Sequence, residues 1–197
     1  MSEPEHAGDQ ETGWISNPLS GEEILVLEAA AETGGERLTF ELRLRPGGRV
    51  PSGHLHPHQV ETFTVLEGRM RFRRGLRVLH AGPGAVVEVP PGTFHTFLNE
   101  GSGTARAVVQ SRPALRMEEV LARGAELGRT RAAGGSRARW VMEVLSFLTE
   151  YRNEVAAPAV PIFVVAAMAG AARMLAAALD RTPVRVSPGS GASAHQR

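Results

Sequence analysis

Three histidines and one glutamate lie in two glycine-rich segments of this 197-residue sequence, and their side-chain types suit a metal centre: His54, His56, His95 and Glu61. Imidazole nitrogens with a carboxylate favour a first-row divalent transition ion, whereas calcium prefers oxygen ligands alone. We expect Fe(II) or Mn(II), and Ni, Co, Cu or Zn would also suit this set. A six-coordinate ion would keep two positions open for substrate, water or dioxygen.

The spacing of these residues lets them converge on one point. Side chains alternate across a β-strand, so His54 and His56 point to the same face, about 7 Å apart along the chain. Glu61 opens an alternating run in which Phe63 and Val65 share its parity, so all three should point inward. A carboxylate in an apolar interior is costly unless it is paired or bound to metal.

His95 comes from a later strand-like run, 94–98, with Phe97 on its face. A closed antiparallel barrel is the architecture that lets separate strands aim ligands at one interior point. A lone buried histidine is more often a hydrogen-bonded core residue, but four ligand-type residues at these spacings rarely arise by chance. Glu61 is in addition a candidate catalytic residue, a general base that would leave the metal transiently.

The two segments have recognisable patterns. Residues 48–68 read GX5HXHX4EX6G, and residues 84–99 read GX5PXGX2HX3N. Both segments resemble the two cupin motifs at every defined position, and the fifteen residues between them, 69–83, are similar to the short spacer of compact bacterial cupins. Beyond the motifs, residues 14–180 resemble a largely uncharacterised bacterial cupin group in which one barrel precedes a helical tail.

The resemblance implies a mainly β fold, a cupin-type antiparallel β-barrel (jelly roll) followed by a C-terminal α-helical extension. Strand-like runs separated by Gly and Pro agree with a sandwich or barrel. We expect a disordered lead at 1–13, the cupin β-barrel at 14–113, the helical extension at 114–181 and a flexible tail at 182–197.

The helical extension should contain three helices. Helical periodicity begins at Met117, Ser136 can cap a second helix, and a third should run from Ile162 to about Asp180. The stretch 156–172 is continuously apolar, but two prolines in its first turn and Arg173 at its end leave it short of a membrane span. A packed helix is therefore the preferred interpretation, and membrane contact is the alternative.

Composition narrows the function classes. The formal net charge of +1 argues against a nucleic-acid partner, and alternation within 69–77 places the arginines there on a solvated outer face. The sequence contains no cysteine, which excludes disulfides, and no lysine, which excludes Schiff-base chemistry. The N-terminus does not have the pattern of a signal peptide, so we expect a cytoplasmic protein.

Three functions are compatible with these residues. The first is a metal-dependent dioxygenase acting on a small enol, catechol or polyketide-like substrate. The second is a non-redox metal-dependent isomerase, cyclase or dehydratase, and the third is a non-catalytic cupin that senses a small ligand. We expect a small-molecule substrate or ligand and a homodimer. We assign His58 no role, because the four-residue set is complete without it.

Overall fold

The computed structural model describes residues 13–157 and Met174. Nine strands, one short 3-10 helix and two α-helices follow one another in this part of the chain: β1 (Trp14–Asn17), β2 (Glu22–Glu28), the 3-10 helix (Ala30–Thr33), β3 (Leu38–Leu44), β4 (Val60–Glu67), β5 (Met70–Arg74), β6 (Arg77–Ala81), β7 (Val86–Val89), β8 (His95–Asn99), β9 (Ala105–Arg112), α1 (Met117–Ala132) and α2 (Arg137–Glu150).

The strands form two antiparallel sheets. One has six strands in the order β1-β2-β3-β9-β4-β7, and the other has three in the order β6-β5-β8. The predicted fold class, mainly β with a cupin-type arrangement and helices after it, is confirmed. Among the described strands the ladders lie in two separate sheets, and they do not join into one continuous ring.

The core lies between the inner faces of the two sheets. Phe63 of β4 meets Phe72 of β5 and Phe97 of β8, with ring centroids 5.1 and 5.2 Å apart. Phe63 and Val65 are buried on the same side as Glu61, as their parity predicted. Strict alternation of apolar residues therefore fixes which face of β4 points to the interior.

The predicted outer face of the arginine-rich hairpin is also confirmed. Met70 and Phe72 are fully buried, whereas Arg71 and Arg73 between them are exposed.

The helices cover one end of the six-stranded sheet. Helix α1 packs against β1 so closely that a Cβ added at Gly128 would lie 2.0 Å from the Oδ1 atom of Asn17. Helix α2 is joined to α1 by a hydrogen bond from the Trp140 indole to the Leu127 carbonyl, 3.0 Å. Ser136 precedes α2 as predicted, but its hydroxyl makes no capping hydrogen bond.

The chain then returns to the sheets. Leu55 and Ala156 exchange backbone hydrogen bonds of 3.0 and 2.9 Å, so the segment after α2 pairs with the loop that carries the first two histidines. The helices are thereby tied to that loop as well as to the sheet.

Several sequence predictions fall outside the described residues. They are the lead at 1–13 apart from Gly13, the third helix at 162–180 apart from Met174, and the tail at 182–197. None of the helices in the described part of the chain combines the length and apolarity that a membrane crossing requires.

Candidate metal centre

The four predicted metal-binding residues come from both sheets and from the loop between β3 and β4. Glu61 is the second residue of β4, in the six-stranded sheet, and His95 is the first residue of β8, in the three-stranded sheet. His54 pairs with His95 through backbone hydrogen bonds of 3.2 and 2.8 Å. His56 follows, and its carbonyl accepts a hydrogen bond from the Gly92 amide at 2.8 Å.

A glycine makes the approach of the first histidine to β8 feasible. A Cβ added at Gly53 would lie 2.3 Å from Cζ of Phe94, well inside van der Waals contact. A larger residue would therefore displace either the Phe94 ring or the loop that carries His54.

The three imidazoles lie together at the inner end of the two sheets. Ring centroids are 4.9 Å apart for His54 and His56, 4.4 Å for His54 and His95, and 5.3 Å for His56 and His95. One ring nitrogen from each histidine lies within 4.8 Å of those of the other two. The three histidines therefore form a group that could hold a metal ion.

Backbone carbonyls fix the orientation of all three rings. The Nδ1 atoms of His54, His56 and His95 lie 3.0, 2.7 and 3.2 Å from the carbonyl oxygens of Ser52, Glu154 and Thr93. Because a carbonyl oxygen can only accept, each Nδ1 must carry the proton. In the neutral imidazole the lone pair is then on Nε2, the arrangement that metal-binding histidines have.

The carboxylate of Glu61 lies beside two of these Nε2 atoms. Its Oε2 atom is 3.0 Å from Nε2 of His95 and 3.4 Å from Nε2 of His56. Burial by itself raises the pKa of Glu61, but the charges of His56 and His95 and the hydrogen bond with His95 outweigh it, so the pKa lies below its ordinary value. Glu61 therefore stays ionised in the interior and favours a cation next to it.

The surroundings shift the pKa values of His56 and His54 in opposite directions. Burial lowers the pKa of His56, but the adjacent negative charge of Glu61 outweighs it and raises that pKa above its ordinary value. Burial and repulsion from the other two imidazoles lower the pKa of His54 to about 3. His54 is therefore neutral over the physiological pH range, the form in which imidazole binds metal.

The residues present fit a divalent transition ion. Nε2 of His56 is buried and has no hydrogen-bond partner among the described residues. A buried polar atom without a partner is costly, and a bound metal ion would provide one. Three imidazole nitrogens and one carboxylate form a donor set typical of Fe, Mn, Ni, Co, Cu or Zn. The assignment of His54, His56, Glu61 and His95 as the ligands stays a prediction.

A cavity of about 320 Å³ opens next to this group. Residues of the six-stranded sheet and of both helices line it, and most of them are apolar, including Phe40, Leu42, Phe63, Trp140, Val144 and Phe147. Apolar side chains of α2 thus form part of the cavity wall. Pockets of this size bind small molecules.

Sequence reasoning missed one ionisable residue of this cavity, Glu22. Its carboxyl is buried and lines the cavity, and the hydroxyl of Ser20 donates to its Oε2 atom at 2.6 Å. Burial raises the pKa of Glu22 to about 7, the Ser20 hydrogen bond opposes this, and the negative charge of Glu61 adds to it. The signal was the shared parity of Glu22 with Ile24 and Val26, which places all three on one face.

His58, to which we assigned no role, is exposed and lies outside the histidine group.

Comparison with known proteins agrees with the fold and the histidine group. Residues 40–110 match the family model described as Cupin domain. The match supports a cupin domain in this part of the chain, and the matched segment contains all four predicted metal-binding residues. A search of curated proteins gave no match.

Several solved structures resemble this one over part of its length. A sugar phosphate isomerase from a cupin superfamily, from Silicibacter pomeroyi, is 25% identical with a TM-score of 0.43, over 48% of this chain and 60% of that protein. A predicted oxalate decarboxylase from Thermotoga maritima is 22% identical with a TM-score of 0.44, over 47% and 80%. The Schizosaccharomyces pombe Cnp3 cupin domain is 14% identical with a TM-score of 0.43, over 50% and 69%.

Proposed function

We propose that this protein is a metal-dependent oxygenase of the cupin superfamily that acts on a small enol, catechol or polyketide-like molecule. The observation that carries the proposal is the joining of the histidine group to an apolar cavity of about 320 Å³. His54, His56, Glu61 and His95 would hold Fe(II) or Mn(II), and the cavity would hold the carbon skeleton of the substrate.

The lining of the cavity favours this substrate class over strongly anionic ones. No Arg occurs among the described residues that line the cavity, and both acidic residues there, Glu22 and Glu61, would repel a substrate anion. A sugar phosphate, the substrate that the name of one similar protein suggests, would bring a phosphate charge that no cation of the described wall could pair away from the metal. Burying an unpaired charge is costly, whereas an aromatic or enolic ring suits the apolar wall.

The protein side chains have separable tasks in such a reaction. A bound redox-active divalent ion would supply Lewis acidity towards a substrate hydroxyl and electron transfer towards dioxygen, the oxidant. The three Nδ1 hydrogen bonds to backbone carbonyls keep the imidazoles oriented. Glu61, ionised in the interior, would accept the proton of the substrate hydroxyl as a general base. The apolar wall would exclude water from the reacting carbon atoms.

Metal analysis and oxygen uptake together test this proposal. Protein purified without added metal would be analysed for its metals, then loaded with Fe(II) without oxygen and mixed with catechols and flavonols in an oxygen electrode. We expect stoichiometric metal and substrate-dependent oxygen consumption. Bound zinc together with no oxygen consumption after Fe(II) loading would exclude the oxygenase and favour the non-redox alternative.

A Glu61→Gln variant separates the two roles of Glu61. Loss of the carboxylate removes the general base and one proposed ligand, so we expect oxygen uptake to fall by at least about 100-fold. Metal content measured on the same sample shows how much of the loss comes from weaker metal binding. Glu67→Gln, in the same strand but exposed, is the matched control.

A further inference from the structure

Glu22 is an ionisable side chain in a wall that is otherwise mostly apolar. It lies on β2, whereas Glu61 lies on β4, and β3 and β9 separate the two strands in the sheet. Both carboxyls nevertheless face the same cavity. Leucine at this position would give a more stable wall, because burying an ionisable group is costly and burying an apolar one is favourable. The position of Glu22 therefore calls for a partner inside the cavity.

The hydrogen bonds of Glu22 leave one oxygen available. Ser20 donates to Oε2, whereas no described residue donates to Oε1. The fold aims the side chain inward, because Glu22 pairs with Leu44 in register and shares its buried face. A carboxyl oxygen at a cavity wall accepts a hydrogen bond from whatever donor the cavity contains.

We propose that Glu22, held by its hydrogen bond from Ser20, forms a second polar subsite of the cavity, which binds a hydroxyl or amino group at the far end of the substrate. This inference rests on the proposed function, since the other end of the same molecule would bind through its oxygens at the metal. The substrate would then be a small bifunctional molecule with a metal-binding enol or catechol at one end, an apolar body, and a hydrogen-bond donor at the other end.

Three features of the described residues support this substrate class. His54 and His56 line the metal end of the cavity, and His95 lies beside them in the same histidine group. The intervening wall consists of aromatic and aliphatic side chains such as Phe40, Leu42 and Phe97. The Glu22 end provides an acceptor for which the described wall offers no cation, so a donor on the ligand would be its partner.

Three catechols that differ only in the side-chain terminus test the subsite. They are 4-ethylcatechol, 4-(2-hydroxyethyl)catechol and dopamine, titrated by calorimetry into Zn(II)-loaded protein without oxygen, so that binding is measured without turnover. We expect the hydroxyl and amino compounds to bind the unmodified protein about tenfold or more tightly than 4-ethylcatechol, which is about 1.4 kcal/mol. Hydrogen bonds to charged groups have this strength.

Two substitutions at Glu22 locate the effect. In Glu22→Leu the hydroxyl and amino compounds should bind no more tightly than 4-ethylcatechol. In Glu22→Gln the affinity of dopamine relative to 4-ethylcatechol should fall about tenfold, because the amide has no negative charge. Glu23→Gln is the matched control, because Glu23 adjoins Glu22 but makes an ion pair with Arg45 at the surface. Its three affinities should equal those of the unmodified protein.

The outcomes distinguish this inference from the proposed function. Equal affinities of the three catechols for fully Zn(II)-loaded protein would overturn the subsite and leave the metal centre standing. The same affinity differences in Glu22→Leu as in the unmodified protein would also overturn it. A protein that takes up no Zn(II), Fe(II) or Mn(II) would overturn the proposed function, and the bifunctional substrate with it.

Discussion

The Oε2 atom of Glu61 and the Nε2 atom of His95 lie 3.0 Å apart, although the two residues belong to different sheets. The candidate metal centre therefore spans the junction between the two sheets. A metal ion held there would link them in the folded state, and the unfolded chain would lack the arranged site.

Metal loading should accordingly raise the melting temperature. A ligand that binds only the folded state stabilises it by about 2.7 kcal/mol at a concentration one hundred times the dissociation constant. We expect a concentration-dependent rise in Tm when Fe(II), Mn(II) or Zn(II) is added without oxygen, measured by scanning calorimetry. An unchanged Tm at saturating concentrations of all three ions would contradict the site.

Substitution of the histidines tests the ligand set directly. We expect His54→Ala and His95→Ala to abolish stoichiometric metal binding and the metal-dependent rise in Tm, because each removes one Nε2 donor from a group of three. His58→Ala is the matched control, since His58 is exposed in the same loop. Elemental analysis gives the metal content, and full occupancy in either of the first two variants would refute the assigned ligands.

The segment after α2 should influence metal affinity although it supplies no ligand. The Glu154 carbonyl accepts the Nδ1 proton of His56, and the Ala156 amide donates to the Leu55 carbonyl at 2.9 Å. Ala156→Pro removes that amide donor and displaces the segment, so we expect metal affinity to fall about 10- to 100-fold, the usual effect of losing a partner that orients a ligand.

Titration against a competing chelator measures this change. Arg152→Ala, an exposed change in the same segment, should leave the affinity unaltered. If Ala156→Pro folds and binds metal as tightly as the unmodified protein, the carbonyl of Glu154 does not control the orientation of His56.

Glu22 should make stability depend on pH in metal-free protein. Its pKa is about 7 in the folded chain, because of burial, against 4.5 without burial. Below pH 4.5 Glu22 is protonated in both the folded and the unfolded chain, and its contribution to the free energy of unfolding is fully present. As pH rises towards 7 Glu22 loses its proton first in the unfolded chain, which favours unfolding. The free energy of unfolding therefore falls, by about 3 kcal/mol in total.

Urea denaturation at pH 5 and pH 8 of the unmodified protein and of Glu22→Gln checks this. We expect the free energy of unfolding of the unmodified protein, relative to Glu22→Gln, to decrease from pH 5 to pH 8. Glu61, His54 and His56 line the same cavity in both proteins, so their titration largely cancels from the difference. Parallel pH profiles would show that Glu22 has an ordinary pKa, and Glu23→Gln serves as the surface control.

Alanine substitutions at two glycines of α1 should change the stability of the protein in opposite directions. A Cβ at Gly124 meets nothing within 4 Å, whereas a Cβ at Gly128 would lie 2.0 Å from Oδ1 of Asn17. Gly124→Ala should stabilise the protein by up to about 1 kcal/mol through helix propensity, and Gly128→Ala should destabilise it by about 1–3 kcal/mol through overpacking. Urea midpoints measure both, and shifts of the same sign would contradict the close packing of α1 on β1.

Parity and spacing predict the part of the site that depends on local geometry. Alternation alone placed Glu61 with Phe63 and Val65 on the buried face, and the structure confirms it. The mainly β class and the helices at Met117 and after Ser136 follow from periodicity in the same way. These features depend on neighbours in the sequence, so the sequence is sufficient to predict them.

The rest of the site depends on contacts between distant parts of the chain. Nothing near His56 in sequence indicates that the carbonyl of Glu154, 98 residues away, fixes its ring. The contribution of Trp140 and Phe147 to the cavity wall depends on how α2 packs against the sheet, which periodicity does not specify. Glu22 was missed because a glutamate at the start of a strand is usually solvated.

The pairing of Leu55 with Ala156 also sets an order of events during protein synthesis. A nascent chain that has reached residue 112 already contains all nine strands and all four predicted metal-binding side chains. It lacks the acceptor for His56 and the backbone partner of Leu55 until residues 154–156 have been added. Completion of the candidate metal centre would therefore wait for the synthesis of the helical segment, and a product truncated before residue 154 would contain the four predicted ligands without the acceptor for His56.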